Sequence, residues 1–324
     1  MTLSFSNDDN GNAPLYYVAI TLSSNAGLGF QQLINWDPST YSTYLNTDCQ
    51  NHSWQDGAGN LLDSWFETPS ATSSSTSVYE WVVLPNATAT TIYLVFSATT
   101  ASGYSTTHTG VQPNYSATYG QYDNGASVFP ILYQNFAGTA VPTGWEALGT
   151  YTIDNGFSIG TAINAYIVSS SSFGADANQI FDAYITQLQS SSTLNMWLGY
   201  TGTLVSGGTY AAALGGGSGN AFMVNGGTIT TITPSVGIMS IYNPSTTLAE
   251  YSTNYGTTTS ATGTSAAAIN VGVTVQSGGT PPTTPLKVGY IRIRTYPPSG
   301  TMPTATFGSA TKVPSGYSQL LMAM

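Results

Sequence analysis

Strand-length runs of alternating apolar and polar residues recur along this chain of 324 residues. In Thr91–Ser97, for example, Ile92, Leu94 and Phe96 fall on one face of an extended segment. Gln179–Gln189 fits either a helix or a long strand, and the strands around it favour the strand. Comparable runs are Tyr16–Leu22, Tyr79–Leu84, Ala165–Ser169, Asn195–Tyr200, Gly237–Tyr242 and Asn270–Gln276. A period of two residues throughout predicts an all-β fold.

Turn signals and length divide the chain. Asn-Gly pairs predict β-hairpins within Tyr151–Ile159 and Ala221–Ile232, since tight two-residue turns favour that dipeptide. The length predicts two domains, which we place at residues 1–125 and 126–298. Residues 299–324 are predicted to form an extended arm rather than another regular sheet, because prolines recur from Pro297 onward and disfavour continuous pairing.

The arm ends in a short apolar tail, which has two interpretations. The tail packs on its own domain as a strap, or it inserts into a neighbouring subunit as a strand or plug. The second interpretation makes the tail a bridge between subunits. The apolar residues that would form this bridge are Leu320, Leu321, Met322 and Met324.

Ionisable side chains are scarce. The chain has 14 acidic and 4 basic residues, a formal net charge of −10, and a charged fraction of 6%, where about 25% is ordinary. Nucleic-acid binding is excluded because it needs clustered cations, and disorder is excluded by a hydrophobic content of 41%. Few titrating groups also predict a fold that tolerates acid. The four cations are Lys287, Arg292, Arg294 and Lys312.

A single cysteine excludes an internal disulfide, so Cys49 is predicted to be a structural thiol. The minor alternative is a nucleophile assisted by His52, three residues away. No apolar stretch reaches the roughly 20 residues of a membrane-spanning helix. The opening residues 1–12 lack the basic start and apolar segment of a secretory signal, which favours a protein that is not exported through one.

Several segments resemble known families. Within residues 13–125, the segments Asp37–Tyr41, Asp56–Glu67 and Tyr79–Val82 resemble an uncharacterised domain, of unknown function, from archaeal and bacterial surface proteins. Tyr119–Phe129 with Asn135–Thr139 is similar to the junction that follows it, and Val288–Pro298 resembles the closing strand of a concanavalin A-like lectin and glucanase sandwich. The resemblance implies two β-sandwich domains, the second a concanavalin-like jelly roll.

The predicted closing strand has two different faces. Ile291 and Ile293 are expected to point inward, while Arg292 and Arg294 point outward and pair with carboxylates or carbonyls. Contact of these arginines with a glycan or a partner is the minor alternative.

Glycoside hydrolysis is the enzyme hypothesis that the resemblance suggests, and it needs two carboxylates about 5–10 Å apart. The glutamates Glu67, Glu80, Glu146 and Glu250 are isolated in sequence. Asp176 and Asp182 lie near one predicted strand, where turn roles are commoner for aspartate. The oxygen-rich segment 7–12 lacks the ligand spacing of a calcium loop. We therefore expect no catalytic residues, no metal and no cofactor.

Three acceptor sequons, at Asn51, Asn86 and Asn114, are candidate glycosylation sites. Trp145, Trp197, Tyr200 and Tyr255 are candidates for stacking on sugar rings, although core packing is the commoner role of such residues.

The sequence favours a non-enzymatic structural or attachment protein at the surface of an extracellular assembly. The assembly that it favours most is an archaeal virus particle. The alternatives are a secreted archaeal cell-surface or filament subunit, and a carbohydrate-binding module. The expected partners are copies of itself, other assembly subunits and host-surface glycans, with no nucleic acid and no membrane span.

Overall fold

The computed structural model confirms an all-β chain of largely antiparallel sheets with only short helices in its described part. The described residues are 3–68, 70–86, 88, 90–174, 178–190, 196–201, 212–216, 221–224, 230–231, 234–245, 248–262, 268–275 and 280–314. They form two compact units, one containing the residues up to Pro130 together with those from Pro297 onward, the other Ile131–Tyr296. These units divide at residues 130/131 and 296/297, whereas the sequence predicted junctions at 125/126 and 298/299.

Short strands and turns build the two units. The first seven strands are β1 (Tyr16–Leu22), β2 (Gln31–Trp36), β3 (His52–Gln55), β4 (Ser64–Phe66), β5 (Val78–Val83), β6 (Thr91–Phe96) and β7 (Thr109–Val111). A 3-10 helix covers Pro38–Tyr41, and α1 covers Gly125–Val128. The next strands are β8 (Leu132–Gln134), β9 (Trp145–Leu148), β10 (Tyr151–Ile153), β11 (Phe157–Ile159), β12 (Ala165–Gly174), β13 (Gln179–Gln187), β14 (Met196–Tyr200) and β15 (Ala212–Gly216). They are followed by β16 (Ala221–Val224), β17 (Thr230–Thr231), β18 (Gly237–Ser245), β19 (Leu248–Thr253), β20 (Thr259–Thr262), β21 (Ala268–Val275), β22 (Leu286–Thr295), β23 (Ala305–Phe307) and β24 (Thr311–Lys312).

The first unit is a sandwich of two sheets. Sheet 1 has the order β23-β1-β6-β3, with β24 also paired to β1, and sheet 2 has the order β2-β5-β4-β7. Alternation along each strand directs one set of side chains between the sheets. Val18 and Leu94 of sheet 1 share one buried cluster with Ile34 and Val82 of sheet 2.

The described part of the arm belongs to this first sandwich. Phe307 pairs with Ile20, and Thr311 pairs with Tyr17, so β23 and β24 extend sheet 1. The expectation of an arm without regular pairing was wrong, because its prolines lie outside the paired residues. The predicted bridging residues Leu320, Leu321, Met322 and Met324 lie outside the described residues.

The second unit is also a sandwich. Sheet 3 has the order β10-β11-β22-β13-β18-β19-β20, with β8 paired to β22, and sheet 4 has the order β17-β16-β15-β14-β21-β12-β9. Phe181 and Ile291 of sheet 3 share one buried cluster with Ile167 and Val273 of sheet 4. Gln179–Gln187 is a strand, as predicted. The inward positions of Ile291 and Ile293 therefore agree with the sequence pattern.

Turn chemistry explains the hairpin between β10 and β11. Ile153 pairs with Phe157, and positive φ angles at Asn155 (51°) and Gly156 (113°) close the turn between them. Asparagine and glycine adopt such angles at the lowest cost, which confirms the predicted hairpin. In the second predicted hairpin, β16 pairs with β17, and residues 225–229 between them lie outside the described residues.

Candidate functional site

The outer face of sheet 3 contains a buried ion cluster. Because Ile291 and Ile293 point into the core, Arg292 and Arg294 of β22 point away from it. Arg292 lies directly opposite Asp182 of β13 in the strand register. The side chains of all three charged residues are at most 2% exposed. Two neighbouring strands thus place two cations around one carboxylate.

Hydrogen bonds hold this cluster rigidly. The Nε atoms of Arg292 and Arg294 donate to Asp182 Oδ2 over 2.8 and 2.7 Å. The hydroxyl of Ser240 on β18 donates to Asp182 Oδ1 over 2.7 Å. Burial alone would raise the pKa of Asp182, but the charges of Arg294 and Arg292 and these hydrogen bonds outweigh it and lower that pKa. Asp182 is therefore a fixed anion.

Tyrosines surround the cluster. The ring of Tyr290 lies 5.2 Å from that of Tyr184 and 6.0 Å from that of Tyr133, so three neighbouring strands contribute an aromatic row. The guanidinium of Arg292 lies 5.8 Å from the Tyr290 ring centroid. We call the surface formed by Tyr133, Tyr184, Tyr242, Tyr255, Tyr290 and Tyr296 the tyrosine face.

An unusual backbone conformation places Tyr255 next to the ion cluster. Asn254 and Tyr255 both have positive φ angles, 48° and 59°, in the turn after β19. Asn254 Oδ1 accepts a hydrogen bond from the backbone N–H of Ile238 over 2.9 Å, which anchors the turn. Arg292 Nη2 donates to the Tyr255 hydroxyl over 2.6 Å. A residue in this conformation is strained, and the surrounding contacts hold it in place.

Tyr242 and Tyr296 complete the face beside Arg294. The guanidinium of Arg294 lies 5.8 Å from the Tyr242 ring centroid, and the Tyr296 ring lies 6.5 Å from that of Tyr242. Except for buried Tyr290, the tyrosines of the face are partly exposed. Amphipathic rings above fixed hydrogen-bonding groups suit a ligand that has both apolar faces and hydroxyls.

The predicted stacking residues divide into two groups. Trp145, Trp197 and Tyr200 are buried, at 8%, 9% and 0% exposure, so the alternative that they form an exposed stacking platform was wrong and they have the commoner role in the core. The Trp145 ring lies 4.7 Å from that of Phe136 in the core. Tyr255 is partly exposed and belongs to the tyrosine face.

One of the three sequons is inaccessible in the folded chain. Asn51 is fully buried, and its Nδ2 donates to the carbonyl oxygens of Tyr44 and Ser97 over 2.8 and 3.0 Å. Its amide is therefore already used, and the prediction of Asn51 as an acceptor was wrong. Asn86 and Asn114 are exposed and stay candidates.

Cys49 is buried beside His52 in the first sandwich. His52 Nδ1 lies 2.6 Å from the backbone oxygen of Cys49, and Nε2 lies 2.9 Å from Glu80 Oε1. Both ring nitrogens therefore face groups other than the thiol. Burial, with the charges of Glu80 and Asp48, raises the pKa of Cys49 to about 12. Such a thiol is a structural group, since the nucleophilic form is the thiolate.

Carboxylates elsewhere in the first unit also have structural partners. Trp36 Nε1 donates to Glu80 Oε2 over 3.2 Å, and Trp81 Nε1 donates to Glu67 Oε2 over 3.0 Å. In segment 7–12, Asp8 Oδ1 accepts from the backbone N–H groups of Asn10 and Asn12, which is turn chemistry. Asp176 lies outside the described residues.

Sequence reasoning predicted the outward arginines but missed the tyrosine face, except for Tyr255. Its members come from β8, β13, β18 and β22 and from the segments after β19 and β22. The signal was present only within single strands, where Asp182 and Tyr184 alternate with core residues, as do Tyr290 and Arg292 with Ile291. The order of the strands in the sheet brings these pairs together, and the alternation within one strand does not predict that order.

Comparisons with known proteins give little further information. No family model matches the chain, and no curated protein matches it. A solved structure, Bacteroides ovatus xyloglucan PUL GH43B, is similar at 10% identity and a TM-score of 0.35, over 50% of this chain. The similar region spans 39% of that protein's chain. The resemblances to a surface-protein domain and a concanavalin-like sandwich stay predictions.

Proposed function

We propose that the chain is a non-enzymatic structural and attachment protein at the surface of an extracellular assembly. The first setting that we propose for this protein is an archaeal virus particle. The second is an archaeal cell surface or filament, of which the chain would be a secreted subunit. Contact with surface glycans is the mode of attachment, so the activity of a carbohydrate-binding module is part of the proposal.

The tyrosine face is the observation that carries this proposal. Sugar rings present apolar C–H faces and hydroxyl edges, which match partly exposed tyrosine rings and their hydroxyls. Asp182, Arg292 and Arg294 are paired before any ligand arrives, so binding requires no separation of buried charges. A surface organised in this way is suited to recognition.

The state of the carboxylates supports a role without turnover. A general acid or base has to gain and lose a proton near the working pH. Asp182 is held as an anion by two arginines. Glu80 is shared between His52 and Trp36. These groups stabilise the fold.

Glycan binding by the complete chain tests the proposal. Arrays of neutral and acidic glycans should retain the chain, and Tyr184→Ala or Tyr255→Ala should weaken binding at least about tenfold, because one good aromatic or hydrogen-bonding contact contributes about 1.4 kcal/mol or more. Tyr166→Ala is the matched control, since Tyr166 is a partly exposed tyrosine on β12 of sheet 4. Equal binding by all three variants would contradict the role of the face.

Turnover would contradict the non-enzymatic part of the proposal. Release of reducing sugar from any arrayed glycan, above the amount released without the protein, would identify an enzyme. The setting is tested separately by immunogold labelling of native material. Gold on virus particles supports the first setting, gold on cell surfaces or filaments supports the second, and label confined to the cell interior contradicts both.

A further inference from the structure

We infer that the first sandwich has a second ligand site, a groove for an uncharged saccharide, independent of the tyrosine face. The groove has a volume of about 630 Å³, within the range of about 300–1,000 Å³ that is usual for small-molecule sites. Its walls are the end of β2, the 3-10 helix that follows, the segment just before β5, and the arm from the last residue of β23 onward. The arm therefore completes the site.

Aromatic rings form the apolar part of the groove. Trp36 and Tyr41 are nearly buried, at 3% and 5% exposure, and Phe307 is partly exposed. The rings of Tyr41 and Phe307 lie 6.4 Å apart. Tyr41 donates a hydrogen bond from its hydroxyl to the carbonyl oxygen of Gly308 over 2.8 Å, which fixes the arm against the 3-10 helix. The Phe307 ring is the surface on which a sugar can stack.

Hydrogen-bond donors and acceptors line the groove together with this ring. Asn35 is exposed, and its Oδ1 accepts from the Ser77 hydroxyl over 2.9 Å. Within the described part of the chain nothing accepts from Asn35 Nδ2, which leaves an amide donor for a ligand. Asp37 caps the 3-10 helix through Ser39 and Thr40. Thr76 and Ser309 also line the groove.

Charge in the groove selects the ligand class. Hydrogen bonds from Ser39, followed by those from Thr40, lower the pKa of Asp37, so its carboxylate is ionised. All lining residues lie in the described chain, and none of them is a cation. An acidic sugar would meet a like charge without compensation, whereas the hydroxyls of an uncharged saccharide can donate to a carboxylate and accept from an amide.

A peptide is the competing occupant, because β2 and β23 are the last strands of their sheets. A peptide added to a strand edge would bind mainly through its backbone and would tolerate loss of the Asn35 side chain. An uncharged saccharide would depend on that side chain and on the Phe307 ring. The two occupants therefore predict different responses to the same substitutions.

The test uses the complete chain with Tyr184→Ala and Tyr255→Ala, so that the tyrosine face does not contribute. Maltohexaose, cellohexaose, mannohexaose and xylohexaose are titrated by calorimetry, with hexagalacturonate as the acidic comparison. At least one neutral hexasaccharide should bind, and Asn35→Ala or Phe307→Ala should weaken it at least tenfold. Asn114→Ala, at an exposed asparagine of the same unit, should bind unchanged.

Each contrary outcome overturns the inference. Absence of binding by all four neutral oligosaccharides, preference for hexagalacturonate, or binding that Asn35→Ala and Phe307→Ala both leave intact would do so. Thermal melting of each variant separates lost binding from lost folding, and Asn35→Ala removes only an exposed side chain. Failure of this titration leaves the tyrosine face, tested in the unsubstituted chain, unaffected.

Discussion

Buried carboxylates with fixed partners are the residue-scale theme of this molecule. In the first unit they accept from tryptophan indoles, and in the second one carboxylate is held by two arginines. The buried indole–carboxylate pairs include Trp36–Glu80 and Trp81–Glu67, and Trp65 donates in the same way to the partly buried Asp123. A buried polar group needs such partners, because an unpaired one costs about 1–3 kcal/mol. This chain has few charged side chains, and several of them are buried in its two units.

Asp182→Asn should destabilise the second unit strongly. The substitution leaves two buried guanidinium groups without a counter-charge, and loss of one partner of a buried ion pair costs about 3–5 kcal/mol. Chemical denaturation of the unsubstituted chain and the variant gives the difference in free energy of unfolding. Glu146→Gln, at an exposed carboxylate of the same unit, is the control and should change little. A loss no larger than that of the control would contradict the structural role of Asp182.

The same comparison has a defined pH dependence. Because the folded-state pKa of Asp182 is below the unfolded value of 3.8, its contribution is present above that pH and is lost as pH falls through the folded pKa. The difference between the unsubstituted chain and Asp182→Asn should therefore shrink in strong acid. A difference that grew below pH 3.8 would show that the assigned sign is wrong.

At the scale of elements, turns and strand faces determine what the sheets present. Strand β22 shows both effects, since its inner residues build the core and its outer residues supply the ion cluster. The β10–β11 hairpin packs on it, and Phe157 pairs with Val288. The geometry of that hairpin turn therefore affects how the end strands of sheet 3 pair with β22.

Gly156→Ala should destabilise more than Gly138→Ala. Both glycines have positive φ angles, 113° and 83°, so each substitution carries a conformational cost of about 1 kcal/mol. A Cβ at Gly156 would also lie 2.7 Å from the carbonyl oxygen of Val288, whereas one at Gly138 meets nothing within 4 Å. Overpacking of this kind adds about 1–3 kcal/mol. Equal losses in denaturation experiments would mean that the strand accommodates the methyl group.

At the scale of the whole molecule, the chain closes its first sandwich with residues from both ends. Val313 donates its backbone N–H to the carbonyl oxygen of Leu15, next to the pairing of β24 with β1. Gln32 Nε2 donates to the carbonyl oxygen of Pro303 over 2.8 Å, which ties the arm to sheet 2 as well. The first unit therefore depends on residues that follow the second in sequence. The described residues include no helix long and apolar enough to span a bilayer.

Two truncations separate the fold from the proposed subunit bridge. A chain ending at Pro298 lacks β23 and β24, exposes the edge of β1, and should melt at a lower temperature. A chain ending at Pro314 keeps both strands and should melt at a higher temperature than the chain ending at Pro298. If the tail bridges subunits, the second truncation should abolish assembly in light scattering. Assembly that persists without residues 315–324 would reject the bridge.

The sequence alone determined the local features of this protein. Alternation of apolar and polar residues specified the strands and their inner and outer sides, because side chains alternate along any extended segment. Asn155 and Gly156 specified one hairpin, because few residues adopt positive φ at low cost. The scarcity of cations predicts a protein that does not bind nucleic acid, since a phosphate backbone requires clustered positive charge.

The tertiary structure decided which distant residues become neighbours. Asp182 and Arg292 are 110 residues apart and meet only through the pairing of β13 with β22. Packing also decided that the sequon residue Asn51 is buried, although its local sequence is that of a glycosylation acceptor. Local periodicity specifies the faces of a strand, but strand order and register depend on the free energy of the whole sandwich, which no short segment contains.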